Sequence, residues 1–192
     1  MPRLVLALAL LGLSGPVFAN EPYCEEPWFI RNLIFDRAGY CFSSPLGQAV
    51  FDNADCTGTD VTLSERDREA VALIREMEDL LDCNMDTSVQ TLSTLQELNQ
   101  LRRFALLPIP VDAASGCIGY LGPQLPLLVA PGAYDGPVLG TLTLESSILF
   151  DFLPEDGWEF VTVYPNGWEG PPGPSGWVEL GQQQPQCREI AG

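Results

Sequence analysis

Six cysteines, at positions 24, 41, 56, 83, 117 and 187, are spread along the chain, and no two of them form a C-x-x-C pair. An even set dispersed this way constrains a fold more than any local propensity, because each bridge ties together segments far apart in sequence. All six follow an N-terminal stretch in which Arg3 precedes an apolar run from Leu4 to Leu13 and a small-residue site at Val17-Phe18-Ala19. That is the layout of a secretory signal peptide, with a mature chain starting at Asn20. An exported chain with an even cysteine count reads as a structural disulfide framework. Zinc is disfavoured, because the chain has neither histidine nor C-x-x-C spacing. No metal site and no cofactor is expected.

Charge narrows the partners. The chain has 26 acidic and 9 basic residues, all nine being arginine, for a net charge of −17. Removing the leader takes away Arg3 and no acid, so the mature part is one charge more negative. Such a surface repels phosphate backbones, which argues against nucleic acid and anionic membranes. Pro108, Pro110, Pro126 and Pro131 break the only later apolar stretches, so no membrane span is expected. Glu-Pro-Tyr ahead of Cys24 is unlike the small aliphatic approach to a lipid-anchored cysteine. Without histidine or lysine there is no His-based triad, lysine Schiff base or Walker lysine, which leaves carboxylate or tyrosine acid–base chemistry.

The sequence changes style near Pro108. Ahead of it lie three helical patterns. In the first, Pro27 suits an initial helical position, and Phe29, Ile30, Leu33, Ile34 and Ala38 make one apolar face. Gly39 stops that helix, letting Tyr40 or Phe42 fold back on it. In the second, Ser64 and Asp67 form a capping-box variant ahead of Val71, Ile74, Met77 and Leu81. The third, around residues 93–104, repeats Leu92, Leu95, Leu98, Leu101 and Phe104 every three residues, which drifts around an α-helix. Beyond Cys117, short strands are expected at 118–120, 127–130, 138–144, 148–152, 158–164 and 177–180, with turn residues between them.

The expected fold class is therefore α+β: a small disulfide-stapled helical N-terminal module followed by a small antiparallel β-barrel. The expected boundaries are 1–19 for the signal peptide, 20–86 for the helical module, 87–116 for a helical linker and 117–192 for the barrel. Cys117 and Cys187 bracket the barrel segment, so joining them ties its entry to its exit. Cys41 with Cys56 closes a local loop, and Cys24 with Cys83 then staples the first module end to end. This is one connectivity among the many that six cysteines allow.

Two stretches carry family resemblances. Residues 31–42, RNLIFDRAGYCF, resemble the core of the YARHG domain, a small extracellular bacterial module running Arg-Asn-x-Ile-Tyr-Ala-Arg-His-Gly-Tyr-x-Phe. Arg31, Asn32, Ile34, Arg37, Gly39, Tyr40 and Phe42 match. Phe35, Asp36 and Ala38 depart, the last replacing the histidine. The resemblance covers residues 24–83 and leans toward structure. Residues 125–180 resemble bacterial Src-homology-like barrels through Leu127-Leu128-Val129, Pro131-Gly132, Val138-Leu139-Gly140-Thr141-Leu142, Gly157-Trp158, Val161 and Gly176-Trp177-Val178. Ala130 stands where those barrels have a basic residue, and Glu145-Ser146 where they have glycine. Such barrels are associated with peptidoglycan or peptide binding. The combination resembles a family of exported proteobacterial proteins, which implies a periplasmic or extracellular location.

Four residues stand out as candidate ligand contacts. Trp168 lies in a Gly-Pro loop near Tyr164, where an aromatic ring can stack on a sugar face or a peptide or else fold over the end of the barrel. Arg31 and Arg37 offer a patch for carboxylates or phosphates, against a structural reading in which they pair with acids such as Glu25 or Asp36 and Asn32 satisfies backbone groups. Asp52, Asn53, Asp55 and Asp60 lack EF-hand spacing and read as a turn pinned by Cys56. Carboxylate pairs such as Glu25-Glu26 or Glu155-Asp156 lack any feature that singles them out. The expected function is non-catalytic binding of cell-envelope material, peptidoglycan or a peptide, or of an envelope protein partner. The alternatives are a carboxylate-based cell-wall glycoside hydrolase, and an inhibitor or regulator of another exported enzyme.

Overall fold

The computed structural model describes residues 20–181 and 186–192; the leader read at residues 1–19 lies outside the described residues. Helix α1 (Pro22–Arg37) begins five residues earlier than its apolar face suggested. Pro22 takes the first-turn position, where a missing N–H costs nothing, and Pro27 falls inside the helix. Ala38 caps the helix, and Gly39 turns the chain with φ +85°. Any side chain at Gly39 would meet Thr57 Oγ1 at 2.7 Å, and its carbonyl accepts from the N–H of Thr57 at 2.7 Å. Glycine is required there both by the left-handed backbone and by this close approach. Tyr40 then packs edge-on against Phe35, and Phe42 stacks on Phe51 with ring centres 4.8 Å apart.

Helix α2 (Pro45–Val50), capped by Ser44, has no counterpart in the sequence reading. Helix α3 (Glu65–Leu80) buries Ala70, Val71, Ile74 and Met77, and the Ser64 hydroxyl accepts from the Asp67 N–H. The third pattern resolves differently from the expected α-helix. Only Leu95–Leu98 (α4) is α-helical, and Asn99–Arg103 winds as a 3-10 helix. Three residues per turn is the 3-10 period, so Leu98, Leu101 and Phe104 fall on one buried side with no drift.

Seven strands follow: β1 (Pro110–Tyr120), β2 (Leu125–Leu128), β3 (Val138–Leu142), β4 (Ser147–Phe152), β5 (Glu159–Tyr164), β6 (Ser175–Val178) and β7 (Cys187–Ala191). They form one antiparallel sheet in the order β3-β2-β6-β5-β4-β1-β7. The expected Src-homology-like β-barrel is not formed, because the sheet is open with β3 and β7 at its two edges. Closure needs the edge strands to pair with each other. Here β7 is held on β1, with Gly116 opposite Ala191 and Tyr120 opposite Cys187, while β3 pairs with β2. The short motifs locate β2 to β6 but miss β7 and the part of β1 that runs from Pro110 through the expected helical linker, and strand order depends on pairings far apart in sequence.

Three disulfides join Cys24 to Cys83, Cys41 to Cys56 and Cys117 to Cys187. They staple α1 to the end of α3, close the loop after Gly39, and fix β7 on β1. One face of the sheet is continuous with the helical core: Phe104 meets Phe160 edge-on at 4.8 Å, and Phe160 meets Phe152 at 4.8 Å and Trp177 at 5.5 Å. Trp177 Nε1 donates to the Leu106 carbonyl at 3.0 Å, and the Ala105 N–H donates to Val129 O at 2.9 Å. The opposite face holds a second apolar cluster that includes Leu127, Leu142, Ile148, Val161, Val163 and Val178.

The Cys24–Cys83 bridge spans 59 residues. Replacing both cysteines by alanine should cost about 4 kcal/mol of stability, read as the unfolding free energy extrapolated to zero urea with the slope fitted for each protein. A cost under about 1 kcal/mol would show that the α1–α3 packing holds the module without the staple.

Candidate functional site

Of the four residues singled out, the structure brings two together. Tyr164 ends β5, and Trp168 sits four residues on, their ring centres 4.8 Å apart. Trp168 stays 37% exposed while one edge of its indole rests on Gly116 of β1, where any Cβ would approach its ring at 2.7 Å. Gly116 is thus the seat of the tryptophan. The ring forms one wall of a recess of about 340 Å³ floored by Ser115, Gly116, Leu149, Ala191 and Gly192. A second recess of about 340 Å³ shares Ser115 and Gly116 and runs on past Phe150, Phe152 and Ile190 to Glu159. Burial pushes the Glu159 carboxyl above its ordinary range.

Arg31 and Arg37 are not part of this site. Arg31 Nε donates to both carboxylate oxygens of Glu78 on α3, at 3.1 and 2.9 Å. Arg37 donates to the carbonyls of Arg102 and Phe104, at 3.2 and 2.7 Å, and so pegs the end of α1 to the segment entering the sheet. Asn32 donates to the Trp28 carbonyl at 2.7 Å. Asp36 faces Arg102 at 3.6 Å. In the aspartate-rich turn, Asp52 accepts from the Ala54 N–H, and the Asn53 amide brackets Phe42, accepting from its N–H at 2.9 Å and donating to its carbonyl at 2.8 Å. Among the described residues no group of three or more metal-ligating side chains gathers.

Sequence reasoning missed two carboxylate arrangements. Glu25 pairs with neither arginine: it is 1% exposed and accepts four hydrogen bonds, from the N–H and hydroxyl of Ser93 and of Thr94, at 2.7–3.0 Å. Burial alone would raise its pKa, but the bonds from Thr94 and Ser93 outweigh it and hold the carboxyl below the usual range. Ser93-Thr94 just ahead of α4 was the available signal, since those residues commonly mark a helix start. The second concerns Glu26 on α1 and Asp151 on β4, which is near enough for its charge to act on Glu26. Burial pushes Asp151 to about 6, against a hydrogen bond from its own backbone N–H, and its Oδ1 is enclosed without a partner. Glu26 is pushed to about 7, by burial first and then by the charge of Asp151. No sequence signal marks these two, which lie far apart along the chain.

The two kinds of carboxylate act on stability with opposite sign. Glu25 contributes above its unfolded pKa and loses that contribution as pH falls through its lowered native value. Glu26 and Asp151 bind protons more tightly in the native than in the unfolded chain. Their contribution is complete below the ordinary carboxylate range and is lost as pH rises through about 6 and about 7. Glu26→Gln should therefore gain stability relative to the parent between pH 4.5 and pH 8, by roughly 1–3 kcal/mol in chemical denaturation. An unchanged difference across that range would show that Glu26 titrates normally.

A family model described as the YARHG domain matches residues 5–79. Another, described as a domain of unknown function, DUF4453, matches residues 82–192 and so covers the whole sheet. No curated protein and no solved structure matches the chain. With more than half of its length matched by that second family, the chain belongs to the DUF4453 domain family.

Proposed function

We propose that this protein is a non-catalytic binding protein of an exported compartment, acting on cell-envelope material or an envelope protein partner. The observation that carries this reading is Trp168, a large aromatic ring held half-exposed over a glycine seat at one end of an apolar recess. Fixed aromatic faces beside small-residue floors suit the flat face of a sugar or the side chain of a peptide, because a rigid ring loses little entropy on contact. The cysteine framework and the leader sequence support export. Glu26 and Asp151 do not favour the hydrolase reading, since neither lines the recesses beside β1.

The test incubates the oxidised protein with purified peptidoglycan sacculi and assays pellet and supernatant after centrifugation. Sedimentation with the sacculi is expected, without released muropeptides, and Trp168→Ala should weaken it roughly tenfold. Release of muropeptides would replace this reading with the hydrolase. Sedimentation indifferent to Trp168→Ala would move the site elsewhere on the surface.

A further inference from the structure

Strand β1 carries a large bulge. Pro110 stands opposite Phe152 on β4 and Ser115 opposite Phe150, so Val111–Ala114 are accommodated against the single β4 position between them, Asp151. Extra residues on one strand of an antiparallel pair break the ladder and bend that strand. Gly192 packs on the end of the bulge, where a Cβ would lie 3.0 Å from Ser115 and 3.1 Å from the Ala114 carbonyl oxygen. The interrupted ladder borders the recess of about 340 Å³ that runs to Glu159. Val111 and Ala113 of the bulge, Phe150 and Phe152 of β4, and the exposed Ile190 of β7 give it apolar walls. Glu159, the first residue of β5, is the only charged side chain in the lining, and no arginine lines it. Among the described residues no hydrogen bond or ion pair offsets the burial of its carboxyl.

An unpaired carboxylate beside apolar walls restricts what the recess can hold. Any occupant takes water from Glu159, and a purely apolar body would leave that charge without solvent or partner, which opposes the gain from covering the walls. An anion would add repulsion. A cation replaces the lost hydration with a charge-assisted hydrogen bond, and an apolar body attached to it gains by burial against the walls. The net charge of −17 also raises the concentration of cations around the protein. The volume lies at the small end of the range for ligand pockets and has room for roughly ten heavy atoms.

We propose that the recess bordered by the β1 bulge binds a small organic cation, one ammonium or guanidinium group on an apolar body, with the charged head on Glu159 and the body against Val111, Phe150, Phe152 and Ile190. This goes beyond the reading built on Trp168, which does not line this recess. The bulge supplies the space, and Glu159 supplies the selectivity for charge.

The test uses the full oxidised protein and 4-phenylbutylamine as the probe, with affinity read by calorimetry and location by backbone amide chemical shifts. Binding is expected, with shifts confined to residues 111–116, 150–154 and 159. Glu159→Gln should weaken it at least tenfold, whereas Glu69→Gln, which removes an exposed acid on α3, should leave it unchanged. Two comparisons need no altered protein: 4-phenylbutyrate, with the charge reversed, and methylamine, with the charge but no apolar body, should each bind at least tenfold more weakly than the probe. Equal affinity for 4-phenylbutyrate, or indifference to Glu159→Gln, would overturn the role of Glu159. Equal affinity for methylamine would overturn the apolar subsite and leave only attraction to an acidic surface. Shifts centred on Tyr164 and Trp168 would place the cation in the other recess and overturn this one, and absence of binding at millimolar probe would overturn the proposal altogether.

Discussion

The contact on which both halves of this protein depend is the aromatic interlock of Phe104 with Phe160, and of Phe160 with Phe152 and Trp177. Each of these four side chains is at most 5% exposed, and they belong to one apolar cluster that runs from α1 into the sheet. Neither half covers this surface alone. The sheet would expose three aromatic rings, and the helices would expose Leu98, Leu101 and Phe104. Burial of that apolar area drives the halves together, and the polar groups at its border fix how they meet. Arg37 and Arg66 donate to backbone carbonyls on the connecting segment, at Phe104 and Leu107, and Trp177 donates to Leu106.

That arrangement explains why the RNLIFDRAGYCF stretch is structural here. Its two arginines satisfy a partner helix and a linker, its asparagine satisfies the helix it sits on, and its glycine makes a turn that no other residue fits. The proposed binding surface lies instead on the sheet, where Trp168 leans on Gly116. Buried acids follow the same division. Glu25 is fully hydrogen-bonded and holds α1 to the start of α4, whereas burial raises Glu26 and Asp151 and Asp151 Oδ1 has no partner. A carboxylate that accepts several hydrogen bonds is a fastening; one left unpartnered makes its surroundings sensitive to pH.

Much of the local architecture was legible in the sequence, for identifiable reasons. The Gly39 stop, the Ser64 cap and the apolar stripe of α3 are short-range events, governed by residues within one or two turns. The threefold leucine repeat was visible as well, but its meaning depended on helix type: taken as α-helix it drifts, whereas the 3-10 turn aligns it. The motifs that resemble a barrel were present in order, yet an open sheet and a closed one use the same short strands and turns. Tyr164 and Trp168 were close in sequence and are close in space. Their seat on Gly116, about fifty residues upstream, could not be read without the pairing of β1 with β4.

By itself the sequence determined the Gly39 stop of α1, the Ser64 cap of α3, the strands between β2 and β6 as local units and the acid-rich composition, because each depends on neighbours along the chain or on composition alone. Only the tertiary structure decided the strand order, the seat of Trp168 on Gly116 and the bonding of buried Glu25 to Ser93 and Thr94. These rest on contacts between residues dozens of positions apart, and such contacts are selected by the burial of one shared core, which no local pattern encodes.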